Sequence, residues 1–259
     1  MFGYLRPNIP CHETVVFNIK MTTNQRIDRY ITNRNEWLLP EVKKKYKELD
    51  FIFTKETHAR ASYQGEKATI YLPENSKTEE SLTHELLHLY IETKENIVCA
   101  LIVGLIREND KLKQIFSDKL IEHITNCIEH VKMLPIFIHM GYDKSNFLAD
   151  SSVNKCEIKH AKRIKSIYKF FGRYNKKAID SFIGNFFAMK ADASEFDYSR
   201  QLDILLETDK ELYEILEIFW TKWLAFSIEI DDSHDYWLDD FAGDFIDSFK
   251  EWMKDKKIL

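Results

Sequence analysis

Glycine and proline are scarce in this sequence, and their scarcity constrains its fold more than any other feature. Only 7 Gly and 5 Pro occur in 259 residues, well below average usage, so tight turns must be few and helices long. Apolar residues make up 44 % of the chain and charged residues 31 %. That balance is typical of a globular protein with a substantial core, and it argues against a disordered chain.

Two short segments depart from the helical pattern and predict a small β-sheet near the N-terminus. Residues 50–54 and 67–72 are rich in β-branched and aromatic side chains, and residues 63–66 between them have the composition of a turn. A helix is expected within residues 22–49. Together with the helical pattern of the remainder, these segments predict an α+β fold that is predominantly α-helical.

A helix that follows the second strand carries the most distinctive motif of the chain. Pro73 ends that strand and residues 76–79 have the form of a capping box, so a helix is predicted over residues 78–92. Within it, His84-Glu85-Leu86-Leu87-His88 places two imidazoles at positions i and i+4, one above the other, where both can bind one metal ion. Glu85 projects beside that pair, where a carboxylate can take a proton from water.

The leucines of the same helix support a metal site over a chance match. Leu82, Leu86 and Leu89 fall on one side of the helix and the two histidines nearly opposite. The helix can therefore bury its leucines and still present both histidines to a cleft. The alternative is a surface helix that carries two solvated histidines.

With this motif the chain resembles the zincin metallopeptidases, and the resemblance rests on His84, Glu85 and His88. It implies a zincin-like core in which Zn²⁺ is held by the two histidines and by a third residue from a following helix. It also implies that Glu85 is the general base in the hydrolysis of a peptide bond. The metzincin extension is absent, because Leu-Tyr-Ile-Glu-Thr-Lys follows His88, so the third ligand must come from further along the chain.

A second helix, predicted over residues 117–134 and stopped by Pro135, offers candidates for that ligand. Residues 122–126, Glu-His-Ile-Thr-Asn, with Met133-Leu-Pro135 beyond them, are similar in spacing to the ligand helix of the ImmA/IrrE metallopeptidase group, which would make Glu122 the ligand. The small residues that this group carries after the Asn are replaced here by Ile128, Glu129 and His130.

Periodicity favours a different ligand on the same helix. Asn126, Glu129, His130 and Met133 follow the spacing i, i+3, i+4, i+7 and form one continuous face. We predict Glu129 as the third ligand, with His130 and Glu122 as the alternatives. Asn126 and His130 are predicted to orient a ligand or contact substrate. The same stripe is also compatible with a solvated helix face.

Tyr142 is a further candidate, because it follows this helix in the segment His139-Met-Gly-Tyr-Asp143. A loop beside the cleft would allow its hydroxyl to donate a hydrogen bond to a substrate oxyanion. The competing interpretation is an ordinary turn that ends the helix.

The whole chain, residues 1–259, is predicted to form one compact unit, because no internal repeat and no Gly/Ser/Pro-rich linker marks a boundary. Its expected sub-regions are a zincin-like metal-binding core over residues 1–150 and a helical region over residues 151–259. Within the second, residues 155–177 hold nine Lys or Arg and a single Glu, interleaved with aromatic residues. This segment could contact nucleic acid or an acidic partner, or form one solvated helix face.

Charge and cysteine content limit the partners and the compartment. A net charge of −5 predicts no general attraction to nucleic acid or to anionic membranes. The four cysteines are scattered, which predicts no disulfide framework and favours a reducing compartment. With no secretory signal and no apolar run near the length of a membrane span, a cytoplasmic protein is expected.

Two functions remain open on these grounds. The first is a zinc-dependent metallopeptidase with a peptide or protein substrate, in which Glu85 acts as general base. The second is a non-enzymatic metal-binding protein with a regulatory or interaction role on a zincin scaffold. The oligomeric state is left open.

Overall fold

Helices dominate the backbone of the computed structural model, which describes residues 27–74, 79–94, 97–194, 196–228 and 235–259, with the side chains of 97–98 and 235–240 excepted. It is 60 % helical and has two small sheets of three strands, which confirms the predicted fold class of a predominantly helical α+β protein. The α-helices are α1 (Leu38–Lys45), α2 (Glu79–Thr93), α3 (Ile97–Arg107), α4 (Asp118–His139), α5 (Ile158–Ile167), α6 (Lys176–Lys190), α7 (Ser199–Thr208), α8 (Lys210–Ala225) and α9 (Asp235–Met253). The strands are β1 (Glu48–Thr54), β2 (Arg60–Gln64), β3 (Lys67–Pro73), β4 (Lys169–Phe170), β5 (Arg173–Tyr174) and β6 (Lys257–Ile258).

The contacts between residues divide the chain into two compact units. Unit 1 comprises Met1–Glu95 and Lys132–Ala149, and unit 2 comprises Asn96–Val131 and Asp150–Leu259. Helix α4 contributes its first part to unit 2 and its last part to unit 1. This grouping differs from the predicted sub-regions, because residues of α3 and the first half of α4 belong to the hydrophobic core of unit 2.

The sheet of unit 1 has the strand order β1-β3-β2, with β3 parallel to β1 and antiparallel to β2. The two predicted strands are β1 and β3. Of the turn predicted over residues 63–66, Tyr63 and Gln64 belong instead to β2, and Gly65, with φ 57°, lies in the turn between β2 and β3. Strand β2 was not predicted, because most of its side chains are exposed and polar. Strand β3 buries Ala68, Ile70 and Leu72 on one face and Thr69 on the other, as a central strand of the sheet does.

Helix α2 begins and ends within one residue of the predicted 78–92. The capping box at residues 76–79 lies, apart from Glu79, outside the described residues. Leu82, Leu86 and Leu89 are fully buried, as the periodicity predicts, and α2 packs against α1. The leucine side of the helix therefore belongs to the core of unit 1.

Helix α4 contradicts the prediction that Pro135 stops the second helix, because the helix continues to His139. A proline in a helix removes one N–H donor and crowds the carbonyl four residues earlier, which costs about 3 kcal/mol. The turn after it compensates by burying Phe137, whose ring stacks on Tyr142 at 4.8 Å between centroids. Packing of this added turn thus outweighs the local cost.

Unit 2 is built on a core of buried apolar side chains in which aromatic rings predominate. Its buried rings include Phe219, Trp220, Trp223, Phe241 and Phe245, while the side chain of Trp237 lies outside the described residues. Trp223 donates a hydrogen bond from Nε1 to the carbonyl oxygen of Ile128 at 2.9 Å. This bond ties α8 to the first part of α4.

The basic segment 155–177 is not one helix, as one of its interpretations required. Helix α5 ends at Ile167, and a β-hairpin of β4 and β5 follows, with Phe171 and Gly172 in its two-residue turn. Strand β6 lies parallel to β5 in the same sheet. The aromatic side chains of this segment are therefore distributed over a hairpin.

Cys99, Cys127 and Cys156 are buried. Cys11 lies outside the described residues. Among the residues that the structure describes, no helix combines the length and the apolar character that crossing a membrane requires.

Candidate metal centre

The two histidines of helix α2 lie close enough to share a metal ion. The Nε2 atoms of His84 and His88 are 3.2 Å apart. Two ligands of a tetrahedral zinc ion, each about 2.0 Å from the metal, are separated by about 3.3 Å. Spacing of the histidines by four residues on one helix produces this approach, because residues i and i+4 lie one above the other.

A third imidazole joins the pair. One ligand atom from each of His84, His88 and His130 lies within 4.8 Å of the other two, so the three residues could hold a metal ion. His130 is on α4. Three neutral imidazoles are a donor set that zinc accepts, and they leave a fourth position open.

This group of three includes His130, which the sequence analysis gave as an alternative third ligand. It includes neither Glu129, the ligand that the sequence analysis preferred, nor Glu122, the other alternative. Glu129 is buried, with 5 % of its surface exposed, whereas Glu122 and Asn126 are partly buried. Successive residues of a helix point about 100° apart. A single helix can therefore direct only one of Glu129 and His130 at the same point, and periodicity alone could not choose between neighbours.

Burial determines the protonation state of the first histidine. Removal from water, and next the neighbouring His88, hold the pKa of His84 well below its usual range, while the backbone of Phe147 opposes that shift. The imidazole is therefore neutral near pH 7, the form that coordinates a metal. The low pKa of His84 and the short distance between the Nε2 atoms of His84 and His88 both disfavour a pair of protonated rings, and neutral rings are the form that binds a metal ion.

Aromatic rings of unit 1 support the imidazole of His84. Its ring centroid is 4.8 Å from that of Phe147, which in turn lies 5.2 Å from Phe137. Phe137 is on the turn of α4 that follows Pro135, so this turn contributes a side chain to the stack. Sequence reasoning did not identify Phe137 or Phe147, although their position on either side of the Gly141 turn was a usable signal.

A buried polar network fixes the residue that precedes His84. Asn35 and Thr83 are both fully buried, and the Asn35 side-chain amide donates a hydrogen bond to Thr83 Oγ1 at 2.9 Å. Thr83 Oγ1 in turn donates to the backbone carbonyl of Glu79 at 2.8 Å. Asn35 also binds the Tyr30 carbonyl oxygen, at 2.9 Å. Because every member has a partner, the network restrains the turn of α2 from which His84 projects.

Tyr142 belongs to this network. Its hydroxyl lies 3.1 Å from Thr83 Oγ1, and only 4 % of the residue is exposed. Burial raises the pKa of Tyr142, so the hydroxyl stays protonated. Its role as a donor to a substrate oxyanion stays a prediction. In the described structure the hydroxyl forms a hydrogen bond with Thr83.

An ion pair joins the same network to the surface of unit 1. The guanidinium of Arg34 pairs with the carboxylate of Glu79, at the first turn of α2. It also lies over the ring of Tyr142, 4.1 Å from the centroid, and donates to the carbonyl oxygen of Gly141 at 3.4 Å. Glu79 stands at the positive end of the helix dipole, where a carboxylate is favoured.

Glu85, the predicted general base, is 7 % exposed, and His88 and His130 are 4 % and 7 % exposed. A carboxylate buried this deeply is stabilised by a nearby cation or by hydrogen bonds. Its place between two candidate ligands is compatible with a cation at the histidines.

Comparisons with family models, with curated proteins and with solved structures found no match to this chain. The interpretation of the centre therefore depends on its own residues.

Proposed function

We propose that the protein is a zinc-dependent hydrolase that cleaves peptide bonds. His84, His88 and His130 would hold the zinc ion, and Glu85 would serve as general base. The observation that carries this proposal is the 3.2 Å separation of the two Nε2 atoms on α2, with a third imidazole in the same group and a carboxylate next to the first ligand.

Each residue has a defined task in this proposal. A bound zinc ion would supply Lewis-acid chemistry, which makes water a nucleophile near neutral pH and polarises a carbonyl group. The Glu85 carboxylate would accept the proton of the attacking water and later deliver it to the departing amine. The Asn35–Thr83 network and the Phe147 ring would hold His84 in place, as groups behind a ligand commonly do.

Metal analysis combined with a conservative variant tests the proposal. We expect about one zinc per chain in the purified full-length protein, and loss of that zinc in His88→Ala. Glu85→Gln should keep the metal and lower kcat/KM on unstructured peptides by about 10²-fold or more. Glu80→Gln, the same change in a partly buried residue of the same helix, should leave both quantities unchanged.

Two outcomes would contradict the proposal. One is a protein without stoichiometric metal after purification in zinc. The other is a zinc-loaded protein whose peptide hydrolysis is equal in the parent and in Glu85→Gln.

The burial of the site favours a second candidate function, a non-enzymatic protein in which the metal stabilises the scaffold. Structural zinc sites are closed and have four protein ligands, whereas catalytic sites keep one position for water. The low exposure of Glu85, His88 and His130 supports the closed alternative. Chelation would then lower Tm strongly, while Glu85→Gln would leave any cellular phenotype intact.

A further inference from the structure

The hairpin of β4 and β5, residues 169–174, has an unusual residue at its turn. The two turn residues, Phe171 and Gly172, both have positive φ, 47° and 76°. Two-residue hairpin turns with both φ positive strongly favour Asn-Gly or Asp-Gly. Phe171 is the one non-glycine residue with positive φ in the described part of the chain, and a bulky residue there is sterically disfavoured.

No packing within the described structure compensates for this conformation. Phe171 is 90 % exposed and Phe170 is 69 % exposed. Their rings contact each other edge to face, with centroids 4.3 Å apart, and Ile167 beside them is 41 % exposed. A strained residue that shows its ring to solvent points to a function outside the fold.

Positive charges surround this apolar tip. Lys169 and Arg173 lie on the two strands, and Lys257 of β6 pairs in register with Arg173. All three are exposed, and none has a carboxylate of the described residues within 4.0 Å. Nearby Lys165 and Lys256 are instead paired with Glu207 and Glu211. Three cations without a carboxylate partner among the described residues therefore lie next to the tip, and one of them, Lys169, lies over the ring of Tyr174, 4.7 Å from its centroid.

We propose that the aromatic hairpin, residues 169–174, docks the protein on an anionic phospholipid surface. The net charge of −5 gives the whole chain no general attraction to such a surface, so the docking depends on the local positive charges and the rings of the hairpin. Phe170 and Phe171 would enter the boundary between headgroups and acyl chains, while Lys169, Arg173 and Lys257 contact phosphates. The turn lies one to two residues beyond the cations, which corresponds to about 3–7 Å along a strand. Apolar side chains of interfacial segments reach about 5–10 Å into that boundary. The distance from the cations to the tip of the hairpin is therefore similar to the depth that the rings would have to reach.

The arrangement fits a lipid surface better than a nucleic acid. Lipid headgroups place negative charge outside and apolar chains beneath, in the same order as the cations and rings of the hairpin. Single strands require ring faces on which successive bases stack. Here the two rings are tilted by 67° against each other and offer no pair of parallel faces.

Sedimentation with vesicles tests this proposal on the full-length chain. We expect it to bind vesicles of phosphatidylcholine with about 30 % phosphatidylserine, and to lose that binding on neutral vesicles or at high salt. Phe171→Asn should weaken binding by about tenfold or more, because it removes the ring that would be buried in the lipid surface. The same change relieves the turn, so Tm should rise or stay constant, which separates lost docking from lost folding.

Two further variants complete the test. Phe196→Asn replaces another exposed ring, 42 % exposed, beyond the far end of α6, which is about 22 Å long; it should bind as the parent does. Arg173→Gln should weaken binding about fivefold, as expected for one charge near an anionic surface.

The proposal would be overturned if the parent does not sediment with anionic vesicles, or if Phe171→Asn binds them as well as the parent. It would equally be overturned if single-stranded DNA or an acidic polypeptide, but no vesicle, binds in a manner that depends on Phe171. Because the hairpin holds none of the candidate metal ligands, these outcomes are independent of the proposed hydrolase.

Discussion

The two units of this chain differ in how their buried polar side chains are arranged. Unit 2 packs aromatic rings against other apolar side chains, and its buried polar residues among those described, Glu129, His130, Asn185 and Gln201, are spread over three helices. In unit 1, buried Asn35 and Thr83 are joined by a hydrogen bond next to His84. Polar groups cost free energy on burial unless each has a partner. We therefore expect the largest losses of stability from changes in the apolar core of unit 2, and effects on the position of His84 from changes in the polar network of unit 1.

The largest effect is expected from unit 2. Trp223→Ala should lower the free energy of unfolding by about 3–5 kcal/mol. Trp223 is fully buried, and its removal also leaves the Ile128 carbonyl without its donor. Urea unfolding measures the loss. Leu224→Ala, at a neighbouring residue that is 53 % exposed, should change stability by less than about 0.5 kcal/mol. A small loss in Trp223→Ala would contradict the assignment of stability to this core.

An intermediate effect is expected in the polar network of unit 1. Thr83→Val keeps the shape and removes the hydroxyl, so that Asn35 and Tyr142 lose a partner. The expected cost is about 1–3 kcal/mol in metal-free protein, and zinc affinity should fall about tenfold because His84 is less well held.

Thr69→Val is the matched control, since Thr69 is also buried in unit 1 but is in strand β3 and away from the candidate ligands in sequence. It should change zinc affinity little. Equal losses of affinity in the two variants would show that the network does not position the histidine.

The smallest effect concerns one histidine in unit 2. Burial holds the pKa of His123 below the usual 6.5, although a hydrogen bond to the Gly184 carbonyl partly opposes the shift. Above pH 6.5 the ring is neutral in both states, so stability does not depend on it. As the pH falls below 6.5 the unfolded chain binds the proton first, and the folded state loses stability.

His123→Gln should remove this contribution. The difference in urea-unfolding free energy between parent and variant should be constant above pH 7 and should shrink as the pH is lowered from 6.5 to 5. A difference that grows over this range would mean that the protonated ring is favoured in the fold.

Sequence patterns identified those features that depend on local periodicity. The bounds of α2, the buried leucines Leu82, Leu86 and Leu89, and the pair His84 and His88 at i and i+4 all follow from the pitch of one helix. Strand β2 was missed because an exposed edge strand with polar residues has no apolar alternation to detect.

Features that depend on tertiary packing could not be obtained in this way. The helix continues past Pro135, and Phe137 is buried against the rings of Tyr142 and Phe147; this packing depends on how the chain folds back after Gly141, which the helical pattern does not show. The group of residues that could hold a metal ion contains His130 and not its neighbour Glu129, and the periodicity of a helix face does not distinguish between two neighbouring residues. The Asn35–Thr83 bond joins residues 48 positions apart, and no local pattern predicts it.

The three buried cysteines of unit 2 can report how often the chain around each of them opens to solvent. Burial raises the pKa of Cys127 to about 12 and that of Cys156 to about 11, and only the thiolate reacts with alkylating reagents. In a Cys11→Ser background, alkylation of the native protein at each thiol therefore requires a local opening of the chain around it. Mass spectrometry of the modified peptides would time these openings at three positions of unit 2 without any introduced label.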